Sequence, residues 1–457
     1  MNTEPSVTAR LANAVLAIHY DQLPAQAIDM CKQVTLDGLA VMIAGSREPT
    51  GVGRICTAYV RDMGGAPQAS VVTGGFKTSI VNAAYVNGTL AHALDFDDIW
   101  FPLNHPTAPT LPAILAIAEY HGLSGKRIIE GIVAAFEVQA RLRMAALGLE
   151  AGVGFHKPGT TGTFGAAAAA ARLLNLDTTR TLMALGLAGS RACSLSINTG
   201  SMTKSSHAGN AASMGVECGV LASMGWTASA DVFGPKGFFD AFMPGNSNPE
   251  LLYKDFGKPW RMVDPGVGFK KHPAHIVTHR SIDAALALRA EHKIAPAQIA
   301  RIEITYAPFD LVNRPQPKTG LDGKFSLQYT TLLALLDGEI SSASFTAERR
   351  FAADVVAMLP NTQLIPDKTI TPDFDKMHNI VTVHLNDGRV VAKRVDILTG
   401  WVGYPLPREQ RLNKFFSCAR NIIADKDADR LLELVEKLET LSDIRELMDI
   451  ARGTGTA

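Results

Sequence analysis

The hydrophobic period of this chain changes twice, and the change limits the folds open to it. From residue 6 to 260 apolar positions recur at helical spacing in stretches rich in Ala and Leu. From Ile299 to Ala307 they alternate with a period of two, and they do so again from Asn379 to Ile397 on both sides of Asn386-Asp387-Gly388; after Gly400 the helical spacing returns. A helical period buries one stripe and a period of two buries one face of a strand, so neither segment can adopt the other's form without exposing its apolar set. The expected fold is a mainly α-helical large domain, residues 1–267 plus 399–457, with a smaller α+β domain, residues 268–398, inserted in it. A chain of 457 residues exceeds what one core usually serves, about 250–300 residues, which also argues for two units.

Local punctuation places the elements. Pro24 opens a helix that Gly45 closes, and Ser124 opens another that Gly148 closes. Further helical patterns cover Pro106 to Glu119, Thr161 to Leu176, Thr178 to Leu195 and His207 to Met224. The run Ala166 to Ala171 lets helices approach closely, which puts its helix in the middle of a bundle. Inside the α+β unit, helices are expected over His279 to His292, Ser326 to Leu336 and Ala352 to Leu359. Asn-Asp-Gly between two alternating runs is a hairpin signal, because Gly supplies the left-handed backbone the turn requires.

Charge and cysteine content narrow the function. Lys plus Arg equals Asp plus Glu at 44 each, so no basic surplus points to nucleic acid, and a small-molecule partner is expected. The N-terminus places Glu4 before Arg10 and continues as an amphipathic helix, unlike a secretory signal, and no apolar run reaches the ~18 residues of a membrane span; a cytoplasmic protein is expected. Cys31, Cys56, Cys193, Cys218 and Cys418 are scattered and odd in number, which excludes a disulfide framework and gives no signature for zinc or an iron–sulfur cluster. Nucleotide loops and the serine-hydrolase elbow are also absent.

Four stretches carry more ionisable and glycine-rich character than a core needs. The first, Leu90 to Pro109, holds three acids and two histidines, with Asp95 and His105 ten residues apart across a break forced by Pro102 and Pro106. The second, GVGFHKPGTTGTFGAA, sets His156 before a proline-started helix N-terminus suited to an anion. The third, NTGSMTKSSHAGNAA, sets Lys204 and His207 just ahead of another helix start; the fourth, GFKKHPAHIVTH, groups Lys270, Lys271, His272, His275 and His279. Cations and helix N-termini together suggest a substrate with several carboxylates. Of these residues, Lys270 alone reads as a surface lysine, His92 and His279 as structural histidines, and Asp97 and Asp98 as loop or helix caps.

In order and spacing, HALDFDD followed by HP, then FHKPGTTGTFGAA, MTKSSHAGNAA and KKHPAH resemble the 2-methylcitrate dehydratase family (MmgE/PrpD), which also includes cis-aconitate decarboxylase and iminodisuccinate epimerase; the similarity covers residues 6 to 450. The resemblance implies a helical domain built from both chain ends, an inserted α+β lid, a homodimer, a site between the domains, and no metal or organic cofactor. It also implies a catalytic set of Asp95, His105, His156, Lys204 and His275, with His207, Lys271 and Thr161 as further substrate contacts. Lys204, His156 and the helix start after Pro158 are expected to hold carboxylates, His275 and His105 to exchange protons, and Asp95 to orient or charge His105.

The leading expectation is a cofactor-independent hydro-lyase on a citrate-like polycarboxylate such as 2-methylcitrate, with a decarboxylase of cis-aconitate type or an epimerase as the alternative and a non-catalytic carboxylate binder as a third reading. The chain departs from the decarboxylase pattern D-F-D-D-T-W-H-P at Ile99 and Phe101, and has Leu311 where a tyrosine is usual before V-N-R-P. These departures point away from cis-aconitate itself, while His275 points away from the epimerase.

Overall fold

The computed structural model describes residues 4–102, 104–146 and 154–455. Its helices of eight or more residues are α1 (Val7–Leu16), α2 (Ala25–Gly45), α3 (Val52–Met63), α4 (Ile80–Ala93), α5 (Leu111–His121), α6 (Gly125–Ala145), α7 (Lys157–Leu173), α8 (Thr178–Arg191), α9 (Met202–Ser223), α10 (His279–His292), α11 (Leu327–Asp337), α12 (Arg408–Ala419), α13 (Asp425–Glu436) and α14 (Arg445–Arg452). Ser79, Ser124 and Asp177 accept from the third amide of α4, α6 and α8 and satisfy donors that a helix start otherwise leaves free. The closing residue expected for α6, Gly148, lies outside the described residues.

Helix α9 runs between α4 and α7, and α7 lies on α6. Small residues set these distances. Ala166 to Ala171 are fully buried, and a side chain added at Gly209 would come within 2.3 Å of the Tyr85 carbonyl of α4. The chain ends return to the same body: α12 packs on α2, and the core that contains Leu11, Ala83 and Ala168 continues into Phe415, Leu431 and Leu447.

A second core holds Ile282, Ile302, Leu332, Leu335 and Val381. There a four-stranded sheet has the order β2-β1-β3-β4, with β1 (Ile299–Tyr306), β2 (Thr362–Pro366), β3 (Asn379–Leu385) and β4 (Val390–Val395). β1 and β2 are parallel, and β3 is antiparallel to both β1 and β4. α10 covers β3 and β4 and packs on α11. Burial alternates along β3, which leaves Ile380, Thr382 and His384 half-buried on its outer face, and Gly388 turns the hairpin at φ 87°.

Several sequence boundaries are corrected. α9 begins at Met202, so Lys204 and His207 lie within its first two turns rather than ahead of the helix. α5 begins at Leu111, not Pro106, because Thr107 is tied by its amide and hydroxyl to Asp98. α8 stops at Arg191, short of Leu195, and α7 starts four residues early at Lys157. Strand β2 carries no alternating pattern, since only its first residue is buried. Among the described residues no helix is long and apolar enough to cross a membrane.

Candidate active site

Helix α4 ends at Ala93, and two residues later Asp95 adopts φ 51°, a left-handed backbone that costs a side-chain-bearing residue about 1 kcal/mol or more. Tertiary contacts hold it there. Lys270 Nζ donates to the Asp95 carbonyl at 2.8 Å and lies 3.1 Å from Oδ1, while Lys204 Nζ meets the same Oδ1 at 2.7 Å. Burial pushes the Asp95 carboxyl up, but the two ammonium groups hold it well below the usual carboxylate range. Lys270 reaches this position because Ile99 and Gly268 exchange both backbone hydrogen bonds, each 2.9 Å, which stitches the acidic loop to the start of the second core. Its side chain is fully buried, so the surface reading of Lys270 is overturned.

His105 stands on the other side of Asp95, with Nε2 3.7 Å from Oδ1. Its Nδ1 is 3.1 Å from both Asp97 Oδ2 and the Asp98 carbonyl. Asp97 thus fixes the ring from behind and leaves Nε2 facing the site, the arrangement a proton-transferring imidazole requires. Asp97 also accepts from His92 Nδ1 at 3.0 Å. Burial lowers His92 to about 4, whereas His92 and His105 together outweigh burial and hold Asp97 well below the carboxylate range. The pair is a carboxylate with a neutral imidazole.

The ring chain continues from His92 to His156, centroids 5.6 Å apart, and His156 Nδ1 lies 3.0 Å from His207 Nδ1, so one of the two donates and the other accepts. Burial lowers His156, and Lys204 lowers it further; His207 falls to about 4 for the same two reasons. His156 precedes α7, where Pro158 has no N–H and the amides of Gly159 and Thr160 already bond the His156 carbonyl. That end therefore presents its dipole more than a fan of free donors.

The opposite wall comes from the second core. His275 donates its amide to the Lys324 carbonyl at 3.0 Å, and its ring lies between Phe309 and Phe325, at 6.4 and 5.7 Å. Burial lowers His275 to about 3. Lys324, unmarked in the sequence, is buried beside Glu48, donates to the Ala93 carbonyl at 3.0 Å and is lowered by burial to about 8.

Asp95, His105, His156, Lys204, His207 and His275 are thus linked to one site by short contacts or mutual charge effects. Lys271 points elsewhere, pairing with Asp283 at 2.9 Å, and Thr161 bonds the Lys157 carbonyl at 3.0 Å and accepts from Asn104 at 3.4 Å. His92, Asp95, Asp97 and His105 offer atoms within 4.8 Å of one another, close enough to surround a cation. The Asp95 carboxylate already meets two ammonium groups, and the Asp97 carboxylate is already occupied by ring nitrogens of His92 and His105.

What was missed has a common cause. Lys270 and Lys324 carry no local signal, since only the tertiary pairing of Ile99 with Gly268 and the packing at Lys324 turn them inward. Asp97, read as a cap, belongs to the site because its carboxylate joins two rings.

Comparison with known proteins shows the family. The MmgE/PrpD N-terminal domain matches residues 9–250 and the MmgE/PrpD C-terminal domain residues 272–440. Cis-aconitate decarboxylase of Mus musculus is 32% identical over 98% of this chain and 94% of its own length, and that of Homo sapiens 31% identical over 98% and 95%. The Aspergillus terreus cis-aconitate decarboxylase is 26% identical over 98% of this chain and 96% of its own. With both domains matched across nearly the whole chain, this protein belongs to the MmgE/PrpD family.

Proposed function

We propose that this chain is a cofactor-independent carboxy-lyase acting on an unsaturated polycarboxylate of the cis-aconitate type. The observation that carries the reading is the likeness, over 98% of the chain, to proteins described as cis-aconitate decarboxylases; the gathering of Asp95, His105, His156, Lys204 and His275 around one site supports it. This places the alternative drawn from the sequence ahead of the hydro-lyase on 2-methylcitrate.

The chemistry asks little beyond charge and protons. In a substrate whose departing carboxylate is β,γ to a double bond, the electron pair of the breaking C–C bond moves into the alkene. The resulting allylic carbanion rests on the carbon next to a remaining carboxylate, and that carbon takes a proton. Lys204 uses one of its three N–H donors on Asp95 and keeps two for a substrate carboxylate. Negative charge on the substrate raises His275 from its low resting value, and either His275 or His105 serves as the acid that protonates carbon.

The test is incubation with cis-aconitate and with its alkylated analogues in buffer containing EDTA, following CO2 release and product structure by NMR. Release of CO2 with migration of the double bond is expected, and His275→Ala and Lys204→Ala should each lower kcat by about 100-fold or more while keeping the wild-type circular dichroism. Loss of water from 2-methylcitrate without CO2 would establish the hydro-lyase instead.

A further inference from the structure

Decarboxylation as proposed above consumes one proton per turnover. CO2 leaves without the bonding pair, the pair ends on carbon, carbon takes a proton from an imidazolium, and the imidazole must be recharged from water or a buffer acid. The walls of the site are closed to solvent: Asp95, Asp97, Lys204, His105 and His275 are each no more than 8% exposed. Recharging therefore needs a route through the protein.

Behind His105 lies a narrow crevice lined by Asp37, Asp97, Asp98 and Thr107 among apolar Val41, Met42 and Leu111. Asp37 also lines a solvent-open cleft of about 340 Å³ between α2, α12 and α13, with Lys32, Arg408, Arg411 and Glu436. Asp37 thus borders both spaces. Its side chain is nine-tenths buried; Oδ1 meets Lys414 Nζ at 2.7 Å, and Oδ2 is buried without a hydrogen-bond partner. Asp98 accepts from Thr107 Oγ1 at 2.5 Å and from its amide at 3.2 Å, and its own carbonyl faces His105 Nδ1.

We infer that Asp37 and Asp98 form the path by which protons from the α2/α12 cleft reach Asp97 and His105. Structural duties alone leave a residue of unexplained chemistry. Neutralising Lys414 occupies one oxygen of Asp37, and the other is left in an apolar crevice, costly for a bare carboxylate and tolerable for a carboxyl that carries a proton. Burial raises Asp37, against Lys414 and Arg411 and with Asp97; burial raises Asp98, against Thr107 and with Asp37 and Asp97. Asp37, Asp97 and Asp98 line the same small crevice, so charge on one raises the others, and Asp97, held well below the carboxylate range, is the acceptor at the inner end.

The inference rests on the carboxy-lyase reading, and the experiment separates the two. Asp37→Asn and Asp98→Asn are compared with wild type for circular dichroism, steady-state kcat and KM from pH 5.5 to 9, the solvent deuterium effect on kcat, and deuterium uptake into product from D2O. Each variant should keep its KM within about twofold and its circular dichroism unchanged. Steady-state kcat should fall at least about tenfold above neutral pH, with a larger solvent isotope effect, and recover in part with added imidazole buffer. Asp37→Glu should retain wild-type turnover. Unchanged kcat at all pH values in both Asn variants overturns the path; so does an equal loss of kcat at every pH, which marks a loop held in the wrong place. If wild type releases no CO2, the carboxy-lyase reading fails by itself. The path then stands or falls on whether deuterium exchange at the reacting carbon slows in the variants.

Discussion

Asp95 joins the two halves of the site, because its carboxylate meets lysines from α9 and from the segment after Gly268 while its left-handed backbone aims it between them. Around it the cations Lys204, Lys270 and Lys324 face the anions Asp95, Asp97 and Glu48, and His92 and His275 are held neutral by burial. A polycarboxylate entering this balance leaves an excess of negative charge, which imidazoles can relieve by taking up protons. Calorimetric titration with citrate at pH 7.5 in buffers of different ionisation enthalpy should show net uptake of about one proton or more; zero uptake would mean that lysines alone balance the ligand. Stability carries the same signature. His92 and His275 have folded-state values of about 4 and about 3, below the ordinary 6.5, so the unfolded chain binds more protons between pH 6.5 and about 4. Stability therefore falls as pH drops through that window, by up to about 1.4 kcal/mol per pH unit for each histidine. Thermal melting from pH 7.5 to 4.5 should show a steadily falling midpoint, and a flat profile would contradict it. At this scale the sequence was readable where chemistry and motif coincide, as at Asp95, His105 and Lys204. It was silent at Lys270 and Lys324, whose inward turn depends on partners far along the chain.

Helices α4 and α9 bring Asp95 to Lys204, and their approach is set by Gly88 against Gly209. A methyl group at Gly209 meets the Tyr85 carbonyl at 2.3 Å and Thr89 Oγ1 at 2.2 Å, and backbone cannot yield as a side-chain tip can. Gly209→Ala should therefore destabilise by about 1–3 kcal/mol and lower kcat through a longer Asp95–Lys204 contact. Urea denaturation and kinetics check both, and wild-type stability would show that α4 moves freely. Element identity was largely legible, since long helices and the β3–β4 hairpin follow period and turn chemistry. Boundaries near the site were not. The start of α5 is fixed by Thr107 bonding Asp98, and β2 by pairing with β1, neither of which leaves a local pattern.

The two largest hydrophobic cores among the described residues flank the site, which takes Asp95, His105, His156 and Lys204 from one side and Lys270, His275 and Lys324 from the other. An anionic ligand bridging these cations should slow amide hydrogen exchange in residues 94–110 and 270–326 together. Protection confined to one of them would place the ligand within a single core. The return of helical period after Gly400 made the shared body of the two chain ends legible, but not that α12 reaches the acidic loop itself. Lys414 of α12 donates to the Phe96 carbonyl at 2.7 Å across 318 positions of sequence and pairs with Asp37. Contacts of such separation form late, since the intervening chain must be ordered before they close. During synthesis, the loop that carries Asp95, Asp97 and Asp98 waits for one of its anchors until the segment with Lys414, 318 positions after Phe96, has left the ribosome, so a nascent chain can hold its helices long before it can hold its chemistry.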